Sequence, residues 1–167
     1  MSVAPPTLHL LCGKIAAGKS TLSARLGKMD RTIVIAEDDW LAALYPDQIS
    51  SLTEYARAAA NLRAIIGPHV ASLLGAGLSV VLDFPANTVA NRAWMKEIFQ
   101  QSQAAHKLHY LDTPDKICIA RLRARNASGD HRFAATDEQF LQFAKHFVPP
   151  SADEGFDIVH HRPEDTR

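Results

Sequence analysis

Neither sign of charge is in surplus in this chain: 18 basic and 18 acidic residues leave the formal net charge at zero. A nucleic-acid binder usually carries a basic surplus, so a long polynucleotide partner is disfavoured. Cysteine is scarce, limited to Cys12 and Cys118, and both lie in apolar segments. That excludes a disulfide scaffold and a cysteine metal site, and leaves both as small core hydrophobes. No apolar run approaches the ~18 residues of a membrane span. The first six residues, Met1 to Pro6, lack the charged and apolar regions of a signal peptide. A cytoplasmic chain without membrane contact is expected. Internal repeats and low-complexity tracts are also missing. What remains is 167 residues, 47% hydrophobic, enough to bury a full core as one domain.

The chemistry is concentrated in Gly13-Lys14-Ile15-Ala16-Ala17-Gly18-Lys19-Ser20-Thr21. This is G-x-x-x-x-G-K-[ST], a phosphate-binding loop. The apolar segment Leu8–Cys12 precedes it as a buried strand, and Leu22 and Leu26 follow at helical spacing. A strand, a tight turn and a helix start aim backbone N–H groups and a helix dipole at one point, where a polyphosphate binds. Gly13 and Gly18 permit a close approach that a Cβ would block. The backbone of Lys14, Ala16 and Ala17 completes the cradle. Lys19 is expected to reach the β- and γ-phosphates, Ser20 to ligate Mg²⁺, and Thr21 to touch the phosphates further back. No Asn-Lys-x-Asp guanine signature is present, which favours ATP.

Along the chain, residues 1–6 are expected to be a disordered tail, and Arg31–Ala36 a second strand ending in Glu37-Asp38-Asp39-Trp40, where a helix begins. The alanine-rich stretch that follows predicts two helices, 51–66 and 68–75, divided at Gly67-Pro68. Leu78–Asp83 is a third strand, with Phe84–Asn87 as the loop after it. A helix over 89–104 carries Trp94, Ile98 and Phe99 inward. Lys107–Leu111 is the fourth strand, 115–126 a helix, 126–136 a polar lid loop, 136–146 a helix and 156–160 a fifth strand. Strands alternating with helices imply a parallel sheet covered on both faces, the three-layer α/β/α arrangement. Such sheets bind ligands at the carboxyl ends of their strands.

Four candidate sites fall at those ends: the loop at 13–20, Glu37–Asp39, Asp83–Asn87 and Asp112. Asp38 is a candidate base for an attacking hydroxyl, with Asp39 beside it, although acidic residues there also cap a helix. Asp83 has the form of a Walker-B carboxylate that holds Mg²⁺, or it binds the acceptor, as Asn87 also could. Arg121 and Arg125, four apart on one helix face, could stabilise the transferring phosphoryl group; Arg123 lies on another face. His131 and Arg132 sit in the lid loop.

Together these motifs resemble P-loop kinases of the polynucleotide 5′-hydroxyl kinase group, which includes zeta toxins and chloramphenicol phosphotransferase. They also resemble the kinase-like branch of bacterial AAA-family ATPases. Glu37-Asp38-Asp39-Trp40 is similar to the Arg-Asp-Asp-Tyr segment of polynucleotide kinases, whose first aspartate is the base, and this implies that role for Asp38. Leu82–Asn87 is similar to Ser-Asp-Thr-Asn-Leu-Asn, which implies an acceptor contact for Asp83. Asp112-Thr113-Pro114 followed by Arg121 and Arg125 matches Asp-Val-Pro and two lid arginines. The resemblance implies a five-stranded sheet of order 2-3-1-4-5, a helical lid, ATP with Mg²⁺, and transfer of the γ-phosphoryl group to a hydroxyl. Where polynucleotide kinases place an arginine for the substrate 3′-phosphate, this chain has Ala42. Trp40 and its apolar neighbours suit a small acceptor instead. A toxin-like or polynucleotide-end kinase and a slowly hydrolysing nucleotide switch are the alternatives.

Overall fold

The computed structural model describes residues 4–129 and 134–163. Five strands form one sheet: β1 (Thr7–Cys12), β2 (Thr32–Ala36), β3 (Ser79–Pro85), β4 (Ala105–Leu111) and β5 (Ile158–His161). Their order is β2-β3-β1-β4-β5 and every pairing is parallel. β1 is central, so its exit lies between the exits of β3 and β4.

Alternation along β1 sorts the two cores. Leu8, Leu10 and Cys12 join Val80, Leu82 and Phe84 on the face covered by α3 (Leu52–Gly75) and α4 (Val89–Ser102). Leu11 joins Val81 and Leu111 on the opposite face. There it meets Leu22 of α1 (Lys19–Leu26), Cys118 and Leu122 of α5 (Asp115–Ser128), and Phe140 of α6 (Asp137–His146). α2 (Glu37–Leu44) starts directly at the end of β2. Side-chain caps set the starts of α3, α4 and α6: Ser51, Thr88 and Thr136 accept from the N–H groups of Glu54, Asn91 and Gln139. No helix among the described residues is long and apolar enough to cross a membrane.

Residues 51–75 depart from the sequence expectation. One helix runs uninterrupted from Leu52 to Gly75 with Pro68 inside it. A mid-helix proline costs roughly 3 kcal/mol. Here Pro68 lies on the exposed side while Ala58, Ala59, Leu62, Ile66, Gly67, Val70 and Leu74 form one buried stripe. Packing along that stripe offsets the lost hydrogen bond. Gly67 permits close contact: a Cβ there would lie 3.3 Å from Trp94 Nε1.

β3 also exceeds its expected end. Phe84 and Pro85, expected in a loop, belong to the strand, and the register against β1 jumps from Leu10↔Leu82 to Leu11↔Pro85. Alternation along β3 puts Asp83 on the Val81 face, where Ser23 of α1 donates to it, while Phe84 stays in the other core. Pro6, expected in a disordered tail, accepts the Ala105 N–H at 3.2 Å. Of the expected lid loop, Asn126–Ser128 are helical, Asn126 Nδ2 donates to the Ala135 carbonyl at 2.7 Å, and His131 and Arg132 lie outside the described residues.

Three histidines are hydrogen-bonded diagonally across β1, β4 and β5. His9 Nδ1 lies 3.0 Å from His109 Nε2, and His109 Nδ1 lies 2.9 Å from His161 Nε2. Burial lowers the pKa of His9, with Lys107 adding to the effect. Burial, His9, His161, Lys107 and Arg25 push His109 down to about 3. A histidine held neutral in the fold binds its proton first in the unfolded chain. The stability it contributes is therefore complete above pH 6.5 and is lost as pH falls from there toward 3. Denaturant titrations at pH 7, 6 and 5 should show stability falling by about 1 kcal/mol per pH unit below 6.5 for each such histidine. His109→Gln should flatten that slope.

Candidate nucleotide and acceptor site

The loop between β1 and α1 carries the site. Gly18 (φ 111°) precedes α1, and Ala16 (φ 61°) takes a second left-handed position. Left-handed positions of this kind let N–H groups of a loop converge on an anion, and the turn is closed by the Ala17 N–H donating to the Lys14 carbonyl at 3.1 Å. A Cβ on Gly13 would meet Ala17 Cβ at 3.1 Å and Leu111 Cβ at 3.2 Å, so a side chain there would press the loop away from β4. Thr113 Oγ1 donates to the Ala17 carbonyl at 3.0 Å, tying the loop to the end of β4.

Lys19 folds back over the loop, its Nζ donating to the Gly13 carbonyl and, at 2.9 Å, to that of Lys14. Burial lowers its pKa; the carboxylates of Asp83 and Asp38 pull the other way. Ser20 and Thr21 stand exposed on the first turn of α1. Lys14 points outward to Asp115 Oδ1 at 2.5 Å, above the Phe147 ring.

Asp83 is half-buried and its pKa is raised by that burial. Lys19 and a hydrogen bond from Ser23 lower it, and Asp38 and Asp39 raise it further. Ala36 lies opposite Asp83 in register, so Asp38 and Asp39, in the first turn of α2, come within its field. Both are exposed, as is Trp40.

Arg121 NH1 donates to the Ala17 carbonyl at 3.3 Å, reaching over the loop from α5. Arg125 is half-buried, and its Nε is buried without a hydrogen-bond partner among the described residues. Arg123 is turned away and pairs with Asp137. Asn87, a candidate acceptor contact, has its amide engaged elsewhere: Oδ1 accepts the Gly13 N–H and Nδ2 donates to the Gly13 carbonyl, both at 2.9 Å.

Tyr55 and Arg63 were not among the sequence candidates, and Glu37 was marked there only as part of the acidic segment Glu37–Asp39. Glu37 is buried, accepts from the Tyr55 hydroxyl and lies 3.3 Å from Arg63 NH2. Burial raises its pKa despite both partners. Arg63 also donates to Asn91 Oδ1 at 3.0 Å and lies over the Trp94 ring. This cluster anchors the start of α2 and hence Asp38. Tyr55 and Arg63, two polar residues eight apart on a mostly apolar helix face, were the available signal. Among the described residues, no group of three or more His, Cys, Asp or Glu side chains is placed to hold a metal. A Mg²⁺ held by substrate phosphates with one or two protein oxygens needs no such group.

A five-stranded parallel sheet of this order, with a phosphate loop leaving its central strand, defines a P-loop kinase-like fold. The chain belongs to the AAA domain family AAA_33, which matches residues 8–150. Among curated proteins, none matches it in sequence. A candidate kinase from Chloroflexus aurantiacus is similar with a TM-score of 0.78 and 18% identity, over 99% of this chain and 91% of that one. Kti12 of Chaetomium thermophilum, solved with ADP-AlF3, gives a TM-score of 0.71 at 13% identity, over 96% and 91%. The APS kinase CysC of Mycobacterium tuberculosis, solved with AMPPNP and APS, gives 0.62 at 18%, over 96% and 90%.

Proposed function

We propose that this protein is an ATP-dependent phosphotransferase that moves the γ-phosphoryl group of Mg·ATP to a hydroxyl of a small molecule. The observation that carries the reading is the meeting of Lys19, Asp83 and Asp38 at three adjacent structural exits, each within the electrostatic field of the others. The loop amides and Lys19 would hold the phosphates. Ser20 and Asp83 would hold Mg²⁺; the divalent charge would neutralise the phosphates, and it suits a half-buried carboxylate crowded by two others. Asp38 would take the proton of the acceptor hydroxyl, with Asp39 and Trp40 beside the acceptor. Arg121, already over the loop, and Arg125 would stabilise charge on the transferring group. Balanced net charge and Ala42 support a small acceptor over a polynucleotide.

The test is a γ-phosphate transfer screen with Mg·ATP across small alcohols, sugars, nucleosides, aminoglycosides and 5′-hydroxyl oligonucleotides. A phosphorylated small molecule is the expected product. Lys19→Ala should lower its formation by about 10²–10³-fold, the usual loss for one preorganised charge stabiliser. Tight ATP binding with no acceptor and only trace hydrolysis would overturn the kinase reading in favour of a nucleotide switch.

A further inference from the structure

We propose that Asn87 is a positioning residue of the phosphate loop, one that keeps the Gly13 carbonyl satisfied when Lys19 leaves it for phosphate. The inference rests on the phosphotransferase reading only as far as phosphate binding by the loop. The Gly13 carbonyl accepts twice, from Lys19 Nζ and from Asn87 Nδ2. Gly13 is buried, and a carbonyl in such a place loses affinity-determining free energy if no donor answers it. A bound polyphosphate claims the Lys19 ammonium. Asn87 Nδ2 then remains as the donor to that carbonyl, while Asn87 Oδ1 continues to hold the Gly13 N–H.

Asn87 is fixed from behind, so its amide stays in place when Lys19 moves. The Val148 N–H donates to the Asn87 carbonyl at 2.9 Å. Arg92 NH1 spans the carbonyls of Ala86 and Val148 at 2.9 and 2.8 Å. The exit of β3 and the segment after α6 therefore form one brace against the loop. Asn87 is too occupied there to serve an acceptor.

Asn87→Asp removes the Nδ2 donor and keeps the volume and the acceptor for the Gly13 N–H, but adds a negative charge beside Lys19, so the neutral Asn87→Ser is titrated with it. Calorimetric titration with ATP and with inorganic tripolyphosphate should show both affinities falling by the same factor, about 5- to 150-fold. The ligand-free thermal midpoint of Asn87→Ser should change little, because Lys19 still answers the carbonyl in that state; a merely structural role would lower the midpoint and spare phosphate affinity. Unchanged affinity for both ligands would overturn the inference, and so would a loss confined to ATP. The loss should appear in Asn87→Ser as well as in Asn87→Asp; a loss confined to Asn87→Asp would be charge repulsion of the phosphates and would overturn the inference, and if Asn87→Asp does not fold, Asn87→Ser carries the test alone. Wild-type protein that binds neither ligand would overturn the phosphotransferase reading as well; wild type and variant binding alike would overturn this inference alone.

Discussion

Asp38→Ala should slow phosphoryl transfer by about 10²–10⁴-fold, the usual contribution of a positioned general base, with ATP affinity unchanged. Asp38 occupies the first turn of α2, next to the β3 exit that carries Asp83. Glu37, buried and held by Tyr55 and Arg63, fixes that turn from the neighbouring position. The phosphate contacts belong to a different element, the loop between β1 and α1, so the substitution leaves nucleotide binding intact. Single-turnover transfer of labelled phosphate, measured beside an ATP titration, separates the two effects. Asp39→Ala should retain most of the transfer rate. Equal transfer by wild type and Asp38→Ala would remove Asp38 from the chemistry.

The phosphate loop was legible because its chemistry is contiguous: nine successive residues supply the turn, the amides, the ammonium and the hydroxyls. The strands were legible because parallel strands buried on both faces are short apolar runs, as in Leu8–Cys12 and Val80–Leu82. The sheet order came from the resemblance rather than from the spacing. Long-range polar pairs were not legible. Asn87 and Gly13 are 74 positions apart, and an asparagine after a strand looks equally suited to a substrate. The diagonal His9–His109–His161 chain depends on register, which scattered histidines do not reveal. Pro68 misled for a different reason: local propensity marks a break, but the buried stripe on both sides of it decides the helix. Ala16 holds a left-handed position that composition alone would assign to glycine.

Arg92→Ala should cost about 3–5 kcal/mol of folding stability, the range for breaking a buried ion pair by removing one partner. Arg92 is wholly buried, and its Nε donates to Glu154 Oε1 at 2.7 Å. Its NH1 answers the Ala86 and Val148 carbonyls. The Cys12 thiol lies in its field and that of Lys19, yet burial still pushes the thiol up to about 11. Truncation leaves a carboxylate of low exposure and two carbonyls without their donor. Domains are usually stable by only about 5–15 kcal/mol, so the loss is a large share of the whole. For a chain of this length each kcal/mol moves the thermal midpoint by about 2–4 °C, which puts the expected fall at about 6–20 °C. Glu154→Gln in the same background should recover part of it, since the uncompensated charge is then gone. A fall of less than about 1 kcal/mol, within the range of an exposed pair, would show that Arg92 is not the brace between the β3 exit and the segment after α6. Because Ala86 adjoins Asn87, the same variant should also weaken tripolyphosphate binding, which ties the brace to the loop by a second measurement.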